Sequence, residues 1–307
     1  MVADMNIYSD NEIINKAYKK LKSNVYYDKT NIILRDKIVD YESDNIEDIL
    51  SDLWERFKDT SDNERWEQVV TKIIDSINCI VLPKSIKPSD NEIIANFNPE
   101  STINVDSVNT FIDMDVEGHL FGIIWLFAIG WKLDKNLNCC YANRIRKNLY
   151  NEFSGDITYS PYLFEPYFEK YESWRDEALL RAKTHLDKNE DVVVITLDFQ
   201  RYYYSVDITE QFMDSLIASA SCDENDILST RLNDLIYKII VTYSERYNSI
   251  FNPSPKKNIL PIGFLPSNVI ANWSLKNFDE AILNGWNPLY YGRYVDDILI
   301  VGADEGT

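Results

Sequence analysis

Apolar residues in the first 80 positions recur at the three- and four-residue spacing of amphipathic helices. Residues 9–12 (SDNE) fit a capping box, so we expect a helix from there to about Lys22. The segments IEDILSDLWERF and ERWEQVVTKIIDSI continue this spacing, with charged residues on the opposite face. The pattern predicts a helical N-terminal extension over residues 1–78.

Three later runs have the composition of strands. Residues 80–83 are a short apolar run that leads into a polar hairpin or loop, PKSIKPSDNE. Residues 192–197 (VVVITL) are continuously apolar or β-branched, as expected of a strand buried on both faces, and they end in Asp198. Residues 290–301 predict two strands joined by a tight turn that carries a pair of aspartates.

Helical patterns separate these strands. The apolar run at residues 120–131 (LFGIIWLFAIGW) is too short to span a bilayer and predicts a buried helix. A turn at Gly263 and Pro266, with Ser267 as the cap, predicts a helix that stops at residues 284–285. Two further helices are predicted over residues 167–186 and about 209–249.

Composition narrows the classes of function. The net charge of −19 argues against a uniformly basic, nucleic-acid-binding surface, although residues 131–150 hold five basic residues against one acid. The four cysteines lack CxxC spacing, which disfavours a zinc site or a disulfide framework. The first ten residues do not resemble a signal peptide. We therefore expect a cytoplasmic protein with reduced thiols and no membrane segment.

The candidate chemistry lies in three carboxylates. Asp198 ends one predicted strand, and Asp296 and Asp297 occupy the turn between the last two. If these strands are neighbours in one sheet, the three side chains converge. Convergent carboxylates suit Mg²⁺, and two such ions support phosphoryl transfer. Each piece alone is common in proteins, but their joint occurrence in this order favours a metal-dependent enzyme.

On these segments the chain resembles the reverse transcriptases. LDFQRYYYSVD is similar to their motif A, LPIGFLPSNVIANWSL to motif B and YVDD to motif C, and the resemblance covers residues 80–307. It implies an α+β fold with a right-hand polymerase palm, an antiparallel sheet with packed helices, over residues 191–307. Residues 79–190 would form the fingers. The helical thumb of the family is absent, so we interpret the chain as a fragment or one part of a larger polymerase.

The resemblance also implies roles for individual residues. Asp198, Asp296 and Asp297 would be catalytic and bind two Mg²⁺ ions, or Mn²⁺, with the Phe199 carbonyl as a further ligand. Tyr203 would exclude the 2′-hydroxyl, and if the segment is extended, Tyr202 and Tyr204 point away from the site. The remaining nucleotide contacts would be Lys84, Arg144 (or Arg146), Gly263, Ser267 and Asn272, with Tyr294 as a primer-grip or motif C support residue.

Departures from the family pattern point to a subclass. Ile262 stands where many members have Gln before the motif B glycine, and Lys87 is the only Lys or Arg from residue 85 to 131. Together with the N-terminal extension and the segment LFEPYFEKYESWRDEAL, these departures make the chain resemble the bacterial antiphage (defence-associated, abortive-infection-like) reverse transcriptases. That resemblance implies a cytoplasmic bacterial enzyme that uses deoxynucleotides and an RNA template or non-coding RNA, yields a DNA product, and works alone, as an oligomer or with a second polymerase subunit.

Two alternatives remain open at the level of the sequence. One is a non-catalytic palm-fold scaffold that binds RNA or a partner polymerase subunit; the loss of a carboxylate would favour it, and none is lost. The other is DNA synthesis that is template-independent or primed on a tyrosine of the protein. Comparing the products made with and without RNA separates templated from template-free synthesis.

Overall fold

In the part of the chain that the structure describes, helices dominate and the strands form two small antiparallel sheets, which makes the fold α+β. The computed structural model describes residues 7–9, 12–28, 31–42, 45–86, 104–146, 162–220, 222 and 226–303. The helices are α1 (Ile13–Tyr27), α2 (Ile32–Tyr41), α3 (Ile46–Lys58), α4 (Asn63–Asp75), α5 (Val116–Trp125), α6 (Trp131–Asp134), α7 (Tyr167–Leu186), α8 (Tyr202–Ser205), α9 (Glu210–Ser219), α10 (Ile227–Phe251), α11 (Leu265–Ser274) and α12 (Lys276–Trp286). The strands are β1 (Asn78–Ile86), β2 (Val105–Asp113), β3 (Val192–Asp198), β4 (Tyr290–Tyr294) and β5 (Asp297–Ala303).

The N-terminal segment is helical, as predicted, but its first helix differs in detail. Helix α1 extends to Tyr27 because Leu21 and Val25 continue its buried face past the expected end. Its N-cap is Glu12, which makes no side-chain cap, so the predicted capping box at residues 9–12 is wrong. Helices α3 and α4 follow the predicted amphipathic spacing, and the Asp62 side chain caps α4 by accepting from the Arg65 backbone N–H (3.2 Å).

The apolar run forms the central helix of the protein. Helix α5 continues through a π-helical segment (Leu126–Gly130) into α6, and nearly all of its residues are buried, as predicted. The helix is longer than the run of residues 120–131 suggested. Among the described residues, Val116–Asp134 is the one segment long and apolar enough to cross a membrane, and 89% of it is buried inside the fold.

One hydrophobic core joins the N-terminal helices to the rest of the chain. Helices α1 and α2 pack on α5 from one side, and α10 and α11 pack on it as well. Polar contacts cross the same boundary: the Tyr8 and Ser229 hydroxyls are 2.8 Å apart, and Arg231 donates to the Phe57 carbonyl (2.6 Å). The predicted helix over residues 209–249 is two helices, α9 and α10.

The three-stranded sheet has the order β3–β5–β4, and both pairings are antiparallel. Helix α7 covers one face and α12 covers the other. The single helix predicted after Gly263 is two helices: α11 enters the core around α5, and α12 packs on the sheet. The predicted stop at residues 284–285 is also displaced, because α12 ends at Trp286, before the left-handed Asn287.

The side chains of strand β3 are more exposed than predicted. Its side chains were predicted to be buried on both faces, but Val193, Val194 and Leu197 are 44%, 51% and 45% exposed. The reason is strand order: β5 is central, and β3 pairs with it alone among the described strands. Helix α7 lies mainly over β4 and β5 and contacts β3 least, so this outer strand receives only partial cover.

The two-stranded sheet is longer than predicted. Strand β1 extends over residues 78–86, well beyond the expected run of residues 80–83, and pairs with β2. The register shifts between Pro83 and Ser85, so Lys84 lies in a bulge. The end of the predicted polar loop, residues 87–92, lies outside the described residues. Strand β2 meets the start of motif B through a parallel bridge between Phe111 and Ile262.

Candidate active site

The sheet brings the motif A and motif C carboxylates together. Asp198, the last residue of β3, is the direct antiparallel partner of Asp297, the first residue of β5. Side chains of such a pair lie on the same face, with Cβ atoms about 5 Å apart. Asp296 lies in the adjoining loop, because Tyr294 pairs with Asp297 and two residues connect them. The predicted convergence of the three aspartates is therefore confirmed at the level of the backbone.

The charges of these carboxylates act on one another. Burial raises the pKa of Asp296, the negative charges of Asp198 and Asp297 raise it further, and Lys84 opposes them. Burial and the charge of Asp198 likewise raise the pKa of Asp297. The positive charge of Lys84, an exposed residue of β1, acts in the opposite direction on Asp296 from the other sheet, and the predicted contact of Lys84 with a triphosphate stays a prediction.

The donors at this site suit a hard divalent cation in their chemistry. Carboxylate oxygens are the ligands that Mg²⁺ and Mn²⁺ prefer. Within the described chain, no group of three or more His, Cys, Asp or Glu side chains is already arranged to hold a metal ion. Strand pairing therefore brings together donors whose chemistry suits the cation. Phe199 follows Asp198 directly, and its ring packs on Phe278 (centroids 5.5 Å apart).

The turn that carries the aspartate pair has an unusual backbone. Val295 has φ = 60°, whereas Asp296 is not among the residues with positive φ. This pattern matches a two-residue hairpin loop of type II′, in which the first loop residue is usually glycine. A β-branched residue in this region is a genuine outlier and costs of order 1–3 kcal/mol. The motif C turn is therefore strained at the residue next to the carboxylates.

A buried arginine lies behind this turn, and sequence reasoning missed it. Arg293 is 0% exposed and binds both carboxylate oxygens of Asp279, from Nε (2.6 Å) and Nη2 (2.8 Å). Nη1 donates to the Val295 carbonyl (2.8 Å), and Nη2 also donates to the Asn272 carbonyl (3.0 Å). Tyr291 donates to the same Asp279 oxygen as Nε (2.5 Å). One signal was available in the sequence: a lone cation within the apolar strand run before YVDD.

Tyr294 belongs to an aromatic cluster beside the turn. Its ring contacts those of Tyr167, Tyr171 and Trp174, with centroids 5.3–6.0 Å apart. Burial raises the pKa of Tyr294 to about 12. Trp174 also donates from its indole N–H to the Gly292 carbonyl (3.0 Å), which ties α7 to β4. Tyr294 thus supports the motif C hairpin, in keeping with one of its two predicted roles.

The three tyrosines of motif A do not alternate, because they form a helical turn. Arg201 adopts the left-handed conformation (φ = 53°) and begins α8. Tyr203 donates to the Asn268 side chain (3.0 Å), and burial raises its pKa, with a smaller contribution from the charge of Asp296. Tyr202 is buried and donates to the Ala271 carbonyl (2.7 Å), so it packs in the core against α11. Tyr204 does point away: its hydroxyl accepts from the Thr110 N–H (2.8 Å).

Motif B is placed differently from the prediction. Ser267 and Asn272 are both 0% exposed, so neither can contact a nucleotide in this structure. Ser267 lies inside α11, whose N-cap is Phe264, and the Asn272 amide donates to the Ala142 carbonyl (2.9 Å). Gly263 is exposed, with φ = 90°, a conformation that requires glycine. The side chain that α11 presents to Tyr203 is that of Asn268, a residue that sequence reasoning did not select.

Arg144 is also a structural residue. Its Nε and Nη2 donate to the side chain and the carbonyl of the buried Asp134 (2.9 and 2.7 Å), and Nη1 donates to the Cys140 carbonyl (2.7 Å). These three bonds fix the guanidinium to the Asp134 segment, and the predicted nucleotide contact of Arg144 stays a prediction. The alternative, Arg146, lies over the Tyr162 ring (5.0 Å to the centroid).

The site as a whole unites elements that are distant in sequence. Strand pairing aligns two carboxylates, a strained hairpin adds a third, and Lys84 and Tyr203 lie within electrostatic reach of it. A function is therefore inferred from this geometry and from the motifs. No known protein family matches the chain, and no curated protein is significantly similar to it.

Proposed function

We propose that the chain carries the palm of a reverse transcriptase-type DNA polymerase, which adds deoxynucleotides by metal-dependent phosphoryl transfer. The observation that carries the proposal is the direct pairing of Asp198 with Asp297, with Asp296 in the adjoining turn. An enzyme of this kind needs convergent carboxylates from two non-consecutive strands, and this sheet supplies them. Bound Mg²⁺ or Mn²⁺ ions would activate the attacking hydroxyl and stabilise the leaving oxygen.

The residues around the carboxylates suit the parts of this task. Asp198, Asp296 and Asp297 would hold the cations, and the Phe199 carbonyl is the proposed additional ligand. Lys84 is an exposed cation whose charge acts on Asp296, and it would neutralise phosphate charge. Tyr203 donates to the Asn268 side chain, and its ring would limit the space beside the sugar. Exclusion of a 2′-hydroxyl by this ring would be purely steric.

The proposal is tested first by cation binding. We expect the chain to bind Mn²⁺, detected by electron paramagnetic resonance, and Asp198→Asn and Asp297→Asn to weaken this binding at least about tenfold. Asp191→Asn is the matched control, because it removes one exposed charge just before the other end of the same strand. Binding that is equal in all four proteins would exclude the metal assignment.

Activity provides the second test. With a duplex-gripping thumb supplied, primer extension with deoxynucleotides, on RNA templates and without any template, is expected in the presence of Mg²⁺ and absent from Asp296→Asn. A chain that binds neither Mn²⁺ nor deoxynucleotides but retains RNA would instead be a non-catalytic scaffold. The role in bacterial antiviral defence is part of the proposal, and it rests on the sequence resemblance of the motif B and N-terminal segments.

A further inference from the structure

The motif C turn holds a conformation that its own sequence does not favour. Val295 occupies a position with positive φ, where glycine is usual and a β-branched side chain is strained. Such strain persists only where surrounding contacts over-determine the backbone. Some contact outside the two-residue loop must therefore hold the turn.

The contact that meets this requirement is the one from Arg293 to the Val295 carbonyl (2.8 Å). The guanidinium cannot move easily, because Asp279 on α12 binds it through both carboxylate oxygens and it is fully buried. It also donates to the Asn272 carbonyl at the end of α11 (3.0 Å). One side chain thus connects the turn to two helices of the body.

Fixing this turn also fixes the carboxylates that follow it. Asp296 is the second loop residue, and Asp297 starts the strand that pairs with Asp198. A relaxed Val295 would rotate the peptide that precedes Asp296 and redirect its side chain. The direction of the Asp296 carboxylate therefore depends on the hydrogen bond from Arg293 to the Val295 carbonyl.

We propose that Arg293 is the positioning residue of the motif C carboxylates: by holding the Val295 carbonyl, with Asp279 as its anchor, it keeps the turn in the strained form that aims Asp296 toward Asp198 and Asp297. The effect on metal binding rests on the proposed function. The effect on the turn itself does not, which allows the two ideas to be tested apart.

The first experiment measures Mn²⁺ affinity by electron paramagnetic resonance. Arg293→Lys retains the charge but cannot bind Asp279 and Val295 together, so affinity should fall about tenfold or more. With Val295→Gly the turn no longer needs the contact from Arg293 to keep its conformation, because glycine adopts positive φ freely. In the Val295→Gly background, the same arginine substitution should weaken Mn²⁺ binding less than about threefold.

A matched control separates positioning from general destabilisation. Arg231 is another buried arginine, which donates to the Phe57 and Asp59 carbonyls far from the carboxylates in sequence and fold. Arg231→Lys should lower the unfolding midpoint and leave Mn²⁺ affinity unchanged. If it weakened Mn²⁺ binding as much as Arg293→Lys does, the proposal would be overturned.

The second experiment needs no metal. A double-mutant cycle of Arg293→Lys and Val295→Gly is measured by urea unfolding of the metal-free chain. If Arg293 enforces the strain, Val295→Gly relieves it only while that arginine is present. The effect of Val295→Gly on the unfolding equilibrium constant should then differ about fivefold or more between the chain with Arg293 and the chain with Arg293→Lys. Should Arg293→Lys fail to fold, Asp279→Asn, which removes the anchoring charge, takes its place in both measurements.

The outcomes are distinct. Rescue of Mn²⁺ binding by Val295→Gly together with coupled unfolding supports the proposal, whereas additive unfolding effects, or a loss of Mn²⁺ affinity that Val295→Gly does not rescue, overturn it. If the unaltered chain binds no Mn²⁺, the proposed function fails, and the unfolding cycle alone decides whether Arg293 holds the turn.

Discussion

Replacing Asp297 by Asn should stabilise the protein when no divalent cation is present. Asp297 faces Asp198 across the β3–β5 pair, and like charges in directly opposed positions destabilise a sheet. Asparagine has nearly the same shape and removes one of the two charges. The substitution therefore tests whether the two strands hold two negative charges against each other with no positive charge to offset their repulsion.

The size of the effect follows from the register. Two unit charges about 5 Å apart repel by about 3 kcal/mol at an effective dielectric constant of 20 and by about 0.8 kcal/mol in water. Both side chains are exposed, so water and salt screen the pair strongly. We expect a gain of about 1 kcal/mol in the free energy of unfolding, decreasing as salt is added.

The pH dependence has a definite sign. The pKa of Asp297 is raised in the folded state, so its ionised form is the one that folding disfavours. The gain from Asp297→Asn should be complete at neutral pH, above the folded-state pKa. It should vanish at pH values below the ordinary aspartate pKa, where the unaltered side chain is protonated in both states.

The assay is urea unfolding, with a chelator and with millimolar Mg²⁺. Mg²⁺ should stabilise the unaltered chain by mass action and Asp297→Asn much less, so the order of the two stabilities reverses. Asp191→Asn serves as the control and should show no reversal. The reasoning is refuted if Asp297→Asn is destabilising in the chelator, or if Mg²⁺ stabilises both proteins equally.

Three further predictions concern side chains near the site. Tyr203→Ala should raise the ratio of ribonucleotide to deoxynucleotide incorporation, measured in competition, whereas Tyr204→Ala should lower stability and leave that ratio unchanged; equal ratios in all three proteins would contradict the steric gate. Arg144→Ala should lower the free energy of unfolding by about 3 kcal/mol, because it removes the positive charge that pairs with the buried Asp134, and an effect confined to nucleotide affinity would show that its ion pair is not structural. Trp174→Phe should cost about 1 kcal/mol in urea unfolding through the lost bond to Gly292, and a neutral result would mean that the bond contributes nothing.

The meeting of the three carboxylates was predictable because it depends on local patterns. A β-branched run that ends in Asp198, and a strand pair interrupted by Asp296 and Asp297, leave few ways to build one sheet. Strand order was not predictable in the same way. The sequence does not reveal that β5 is central, and the exposure of Val193 and Val194 follows from that order.

The differences at residues 267–272 and at Arg144 have a common physical cause. Whether Ser267 and Asn272 face a ligand or the core depends on how α11 packs against α5, more than 130 residues earlier in the chain. Arg144 was assigned to a phosphate because its charge is visible in the sequence, whereas its buried partner Asp134 is recognisable only in three dimensions. The Arg293–Asp279 pair was missed for the same reason.

The burial of the central helix has a consequence for how the protein is made. Residues 116–134 are apolar enough to pass for a membrane span, yet the finished protein encloses them. A chain leaves the ribosome N-terminus first, so α1 and α2 are complete before α5 emerges, whereas α10 and α11 come long after it. The N-terminal helices therefore offer the nascent apolar segment an intramolecular partner at once, which shields it from insertion machinery and from other chains during synthesis.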